Sequence, residues 1–331
     1  MAKLSVIIPV YGVEQYIVRC VESLLAQELD DMEFVFVDDH TLDASIGIVK
    51  DMIEGHTRQG QFVFLQTPQN GGAGPARNYG LKHATGEYVG FVDSDDWVSP
   101  DGFARLYSKA KDFNADICFG AVVKHFSDGR RDVVVHNPEL PDGEVSNDAF
   151  AAFFANYVSF FTSYIYRRSM LEKHGIAFYD GGWSEDSYFL ATALLTAKRF
   201  ASIPNVFYHY MIRQGSASTS VDGTKYLKRM AIFDDVLRFA HDGGAYDNFG
   251  PEIDFVYIKK GGLSTVANYV HNCAKPQVQV VRKLADCLFA KVPDANGNKY
   301  VKQRLPIRLA LLLLRHCPHL FIFFSRFMTH E

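Results

Sequence analysis

The amino-acid sequence predicts an α/β fold: a mostly parallel central sheet flanked by helices, followed by a C-terminal helical region. Two observations carry this expectation. Ser5-Val6-Ile7-Ile8-Pro9-Val10-Tyr11, Phe34-Val35-Phe36-Val37-Asp38-Asp39 and the run ending at Phe91-Val92 are apolar stretches of strand length that stop abruptly at polar or turn residues. Between the first two, Glu14 to Gln27 sets Ile17, Val21, Leu24 and Leu25 at helical spacing, and a second helical stretch starts near Asp43. Strand, helix, strand, helix implies parallel pairing. In open parallel sheets ligands bind beyond the carboxyl ends of the strands, which places Tyr11, Asp39 and Asp93 to Asp96 at one edge.

The later elements follow in order. Ser99-Pro100-Asp101 reads as a helix start, with Ser99 as cap, and the helix should reach about Asn114. Asp116 to Val123 reads as a strand, Ser127-Asp128-Gly129 as a hairpin turn and Asp132 to His136 as its return. Ser146 to Asn156 reads as helix, Thr162 to Tyr166 as strand, Ser184 to Lys198 as an apolar helix, and Ile203 to Tyr210 as a further strand. From Lys225 onward helical periodicity dominates, through Tyr226 to His241, Pro251 to Cys273, Pro276 to Ala290 and Leu305 to His316.

Composition narrows the function. The 331 residues suffice for a large core and about two domains, and 48% apolar content is ordinary for a folded chain. A formal charge of −4 and a pI near 6.3 argue against general nucleic-acid binding and favour a small, locally held anionic ligand. Five scattered cysteines with no CxxC spacing read as reduced core residues. Only Met1-Ala2-Lys3 precedes the first strand, so no signal peptide is expected and the chain is placed in the cytoplasm.

The densest chemistry is Asp93-Ser94-Asp95-Asp96. Three carboxylates in four residues after a buried strand repel one another and resist burial, so they call for a counter-charge, most simply Mg2+ or Mn2+ carrying a diphosphate. Upstream, Asn70-Gly71-Gly72-Ala73-Gly74-Pro75-Ala76-Arg77-Asn78 lets backbone approach a ligand and then starts a helix whose N-terminus favours anions. It lacks the lysine and Ser/Thr pair of a P-loop.

Taken together, SVIIPVY, VDD, NGGAGPARN, VDSDDWV and WSED, in this order, resemble an inverting family 2 glycosyltransferase of the GT-A fold over roughly residues 3 to 220. The resemblance implies a catalytic domain over 1–220, with a nucleotide-binding half to about 98 and an acceptor half from 99, and a helical C-terminal domain over 221–331. It places the donor base at Pro9, Val10, Tyr11 and Asp39, where a carboxylate accepts the uracil N3–H and repels cytosine, favouring a UDP-sugar. Glu14, Asn70, Arg77, Asp93 and Ser94 join the donor site, with Asp93 on ribose or a metal-bound water. Asp95 is the implied metal ligand and Asp96 an orienting neighbour. His209 is either a third ligand or a packed histidine. Asp186 is the implied general base, with Glu185 as the alternative, and Trp183 a platform for the acceptor sugar. Arg213 with Ser216 resembles the basic loop that closes on the diphosphate. His40 departs from the small residue usual after the paired aspartates and is expected to narrow the base pocket.

The implied reaction moves a sugar to a hydroxyl of a saccharide or lipid-linked oligosaccharide. Three rivals are weighed: a nucleotidyltransferase, which would bring basic residues to Pro9–Glu14; a non-catalytic nucleotide-sugar sensor, against which Asp186 counts; and a structural scaffold, which predicts no metal-dependent UDP affinity. Leu305 to Met328 is apolar but broken by Arg308, Arg315, His316 and Pro318, too interrupted to span a bilayer. It reads either as an interfacial hairpin, with cations at anionic headgroups, or as a helix pair packed internally or across a homodimer.

Overall fold

The structure is a computed structural model that describes residues 2–180, 184–212 and 224–326. Its elements are β1 (Leu4–Val10), α1 (Ile17–Leu25), β2 (Met32–Asp38), α2 (Ser45–Ile53), β3 (Phe62–Gln66), α3 (Ala73–His83), β4 (Tyr88–Phe91) and β5 (Trp97–Val98). There follow α4 (Gly102–Asp112), β6 (Ile117–Phe126), β7 (Val133–Val135), β8 (Gly143–Glu144), α5 (Asn147–Phe154), β9 (Tyr164–Arg167), α6 (Arg168–His174), α7 (Glu185–Thr196) and β10 (Arg199–Ile212). The rest is helical: α8 (Thr224–Asp242), α9 (Ala245–Val256), α10 (Ser264–Asn272), α11 (Val278–Lys291), α12 (Lys299–Lys302), α13 (Leu305–His316) and α14 (Pro318–Ser325). Two compact units emerge, one of 1–150, 157–181 and 189–213, the other of 151–156, 182–188 and 214–331.

The first unit is built on one sheet in the order β3-β2-β1-β4-β9-β6-β10-β5, with β7 on β6 and β8 on β10. Its first four strands are parallel, Leu4 standing opposite Met32 on β2 and Tyr88 on β4. Continuous apolar runs suit strands covered on both faces. On one face Val6, Ile8, Phe34 and Phe36 share a buried cluster with Ile17, Val21, Leu24, Val49 and Ile53 of α1 and α2. On the other, α3 approaches so closely that a Cβ on Gly80 would lie 2.6 Å from Ile7 Cγ2 and 3.0 Å from Val37 Cγ2.

Beyond β4 the sheet is mixed rather than parallel. β9 runs antiparallel to both β4 and β6, while β6 and β10 pair in parallel. The sequence cannot announce this, because strand direction depends on where the chain re-enters the sheet. Ser99 does not cap α4: its hydroxyl meets His209 Nε2 at 3.0 Å, and Asp101 occupies the cap position with its carboxylate on Arg105 rather than on the helix N-terminus. β10 begins earlier than expected, Arg199 pairing with Glu144 of β8. An aromatic cluster of Phe91, Phe178 and Phe189 packs under β4, with Phe178 and Phe189 stacked at 4.1 Å.

In the second unit, the single helix expected over Pro251 to Cys273 is three segments. Tyr257–Leu263 is π-helical between α9 and α10. Gly261 and Gly262 lie there, where a Cβ would fall 2.9 Å from Phe233 of α8 and 2.8 Å from Leu288 of α11, so the wider turn accompanies close helix approach. Pro251 and the non-helical Phe249 kink α9 upstream.

Candidate active site

The carboxyl edge of β1 and β2 is a laced pair of turns. The turn after β1 donates three successive backbone N–H groups to the loop after β2: Gly12 to Thr41 Oγ1 (2.9 Å), Val13 to Ser45 Oγ (3.2 Å) and Glu14 to Asp43 Oδ2 (2.9 Å). Glu14 Oε2 accepts in return from Ala44 N–H at 3.0 Å. Asp43 is the hub. Partial burial pulls its carboxyl upward, but bonds from Ser45, the Glu14 N–H and Thr41 outweigh this and hold it down to about 2. Above this lacing Tyr11 is 53% exposed, while Val10 is buried and Pro9 sits in register with Val37.

Asp39 is buried and ties the glycine-rich segment to the strand edge. Its carboxylate accepts from Thr67 Oγ1 (2.9 Å), Gly71 N–H (3.1 Å) and Gly72 N–H (2.7 Å). Gly72 takes φ 89° at the start of α3, a conformation that suits glycine. His40 has φ 60° and donates from Nε2 to the Thr67 carbonyl at 2.7 Å, so its ring is pinned along β3's exit. Asn70 is exposed in the same loop.

At the end of β4 the three aspartates part company. Asp93 Oδ1 pairs with Arg77 Nη2 at 2.6 Å. That guanidinium is buried against the rings of Phe161 and Phe178, 4.7 and 5.3 Å away. Arg77, expected in the donor site, thus braces Asp93 beside it. Asp96 is also buried, accepting from Tyr208 Oη (2.7 Å) and Met211 N–H (2.9 Å) on β10. Burial, then the charges of Asp93 and Asp95, push its carboxyl well above the usual carboxylate range, against those two bonds. Tyr208 Oη also accepts from the Asp93 N–H at 3.1 Å, so one buried phenol locks both ends of the turn. Ser94 is buried, and Asp95 is partly exposed.

His209 belongs to a different network. Its Nε2 meets Ser99 Oγ, its Nδ1 meets His125 Nε2 at 3.1 Å, and His125 Nδ1 reaches Asp132 Oδ2 at 2.7 Å. The ring stacks on Trp97 at 5.2 Å, and Arg19 covers that indole at 3.1 Å. Burial, then His125 and Arg19, lower the His209 pKa to about 4. Both ring nitrogens meet protein groups. Among the described residues no three His, Cys, Asp or Glu side chains gather into a metal-holding group.

Glu185 and Asp186 open α7 in its first turn, within the second unit. Asp186 Oδ1 accepts from Ser187 N–H at 2.8 Å, and Ser184 before them has φ 77°. In the same unit the Asp186 charge opposes the lowering of Lys260. Trp183, Arg213 and Ser216 lie outside the described residues. Thr41, Asp43, Ser45, Thr67 and Tyr208 were not foreseen; Asp43, two residues before Ser45 at a helix entry, carried the one readable signal.

A parallel half-sheet that continues as a mixed sheet, flanked by helices and followed by a helical region, has the architecture of the GT-A fold. The chain belongs to Glycosyl transferase family 2, whose family profile matches residues 5–175. It is similar to the uncharacterized glycosyltransferase EpsJ of Bacillus subtilis (strain 168), 35% identical over 210 residues, which cover 62% of this chain and 60% of that protein. It also resembles the succinoglycan biosynthesis protein ExoO of Rhizobium meliloti (strain 1021), 31% identical over 247 residues, 72% of this chain and 69% of that one. Among solved structures, S. aureus TarS 1-349 in complex with UDP-GlcNAc superposes with a TM-score of 0.66 at 22% identity, covering 98% of this chain and 89% of the other.

Proposed function

We propose that the protein transfers a sugar from a UDP-sugar, with inversion, to a hydroxyl of a saccharide or lipid-linked oligosaccharide during cell-surface polysaccharide synthesis in the cytoplasm. The name of ExoO, a succinoglycan biosynthesis protein, supports the polysaccharide setting, and the UDP-GlcNAc held by TarS supports the donor. The observation that carries the reading is the division of labour at β4. Asp96 is buried on Tyr208 and Met211, Asp93 is held by Arg77, and the side chains of Asp93 and Asp95 both stay partly exposed at the same turn.

That arrangement fits a divalent ion. Burial first, and then the charges of Asp93 and Asp95, raise Asp96, and Mg2+ or Mn2+ is commonly held by one or two carboxylates with substrate phosphates and waters completing the shell. Asp95 would hold it, and when bound the ion supplies Lewis-acid stabilisation of the departing diphosphate. Tyr11 offers an exposed ring for the base. Asp39 already accepts from Thr67, Gly72 and, on both oxygens, Gly71, so the uracil N3–H would replace the longer Gly71 contact at 3.3 Å. Asp186 accepts the acceptor hydroxyl's proton as it attacks from the face opposite the diphosphate, with Glu185 orienting it. Trp183 as acceptor platform, and Arg213 with Ser216 as diphosphate clamp, complete the proposal.

Asp186→Asn tests the reading against a sugar-nucleotide sensor. The expected result is unchanged UDP affinity in the presence of Mn2+ with turnover lowered about 10²- to 10⁴-fold. Turnover equal to wild type would remove Asp186 from the mechanism.

A further inference from the structure

Helices α13 and α14 each bury one face and leave the other in water. On α13 Leu311 and Leu314 are buried, while Leu305, Leu309 and Leu312, at spacings of four and three, are exposed. On α14 Pro318, Phe321 and Ser325 are buried, while Leu320, Phe323 and Phe324 are exposed. Six of the eleven large apolar side chains exposed among the described residues therefore fall in this one hairpin. Exposed apolar residues are ordinary when scattered and informative when gathered.

The charge is gathered too. Residues 275–326 hold ten Lys and Arg against two Asp, a net of +8 in a chain whose total is −4. From Lys299 to Arg326 there is no acidic residue. Lys302 and Arg308 are exposed beside the α13 leucines. Arg315 lies over the Phe289 ring at 4.1 Å and donates to the Pro293 carbonyl at 2.7 Å, and Arg326 donates to the Ala274 carbonyl at 3.1 Å. Among the described residues no helix is long and apolar enough to cross a membrane.

We infer that the α13–α14 hairpin docks on an anionic phospholipid surface, Leu305, Leu309, Leu312, Leu320, Phe323 and Phe324 entering the acyl boundary and the surrounding cations meeting lipid phosphates. Apolar burial and electrostatic attraction to anionic lipid then act on one element, the combination that holds interfacial helices in place. A second copy is disfavoured as the occupant, because the same face would bring a net positive segment against its equal. The inference does not depend on the donor or the metal.

The test is co-sedimentation of the full chain with vesicles of phosphatidylcholine alone and with about one-third phosphatidylglycerol. Wild type is expected to bind the anionic vesicles at least about tenfold more strongly, and to release as salt rises from about 0.1 M to about 0.5 M. Replacing Leu309, Phe323 and Phe324 by Ser together is expected to abolish binding, while Lys302→Gln with Arg308→Gln weakens it and steepens nothing else. Unfolding midpoints and the UDP response of each variant, read without vesicles, show that the fold and donor site are intact. Equal wild-type binding to both vesicle types, triple-serine binding at the wild-type level, or no vesicle binding alongside a dimer that the serines dissolve would each overturn the inference.

Discussion

Arg77 shows how a residue typed by its motif can have a structural duty. Its guanidinium is enclosed by Phe161 and Phe178 and held by Asp93, whose own side chain stays 28% exposed. Arg77→Ala removes the ion pair together with the packing of the guanidinium on two rings and is expected to cost about 3 kcal/mol in urea unfolding, with Asp93→Asn, which keeps a hydrogen-bonding side chain, costing less. Equal costs would mean that the charge pair, rather than the aromatic enclosure, dominates. Lys260 offers a pH signature. Burial, then Lys259 and Arg229, bring its ammonium down to about 7, Asp186 opposing. An unfolded lysine titrates near about 10.4, so between these values the unfolded chain holds a proton that the native state lacks. Stability from this group therefore rises with pH across that window and is lost as pH falls through about 7. Lys260→Met should be more stable than wild type below pH 7, and that advantage should shrink toward pH 10; a flat difference refutes the assignment.

Among the elements, α3 is the one whose position decides most, since it carries Arg77 and begins at the loop that Asp39 holds. Its fit on β1 and β2 rests on Gly80. Gly80→Ala should lose about 1–3 kcal/mol from the clash with Ile7 and Val37, although alanine favours a helix by up to about 1 kcal/mol. Gly47→Ala on α2, where a Cβ meets nothing within 4 Å, should instead be neutral or stabilising. Thermal midpoints of the two variants moving in opposite directions would confirm that packing rather than helix propensity sets the outcome. The apolar runs of β1, β2 and β4 were legible because strands covered on both faces need no polar alternation. The antiparallel entry of β9 was not, because four residues of strand carry no mark of direction.

For the whole molecule, the proposed metal and donor are coupled through Asp95. With UDP at about a hundred times its dissociation constant, ligation should stabilise the native state by about 2.7 kcal/mol. Chelation with EDTA, or Asp95→Asn, is expected to remove most of that gain and turnover with it; a UDP-induced rise in unfolding midpoint that survives both would take the metal out of donor binding. The turn carrying Asp95 has its shape imposed from far along the chain. Tyr208 and Met211 stand 112 and 115 residues from Asp96 and hold it from β10. Ser99 is diverted from its expected cap by His209 in the same way, 110 residues distant.

By itself the sequence determined the order and type of most elements and the residue types that end the first parallel strands, because burial periodicity and turn chemistry act over a few neighbouring residues. Tertiary structure alone decided that Asp96 is the buried aspartate, that Arg77 braces Asp93 and that His125 and His209 stack on Trp97. Those outcomes depend on side chains about a hundred positions apart meeting in one place, and the energy of a buried charge is set by whatever partner the fold delivers to it.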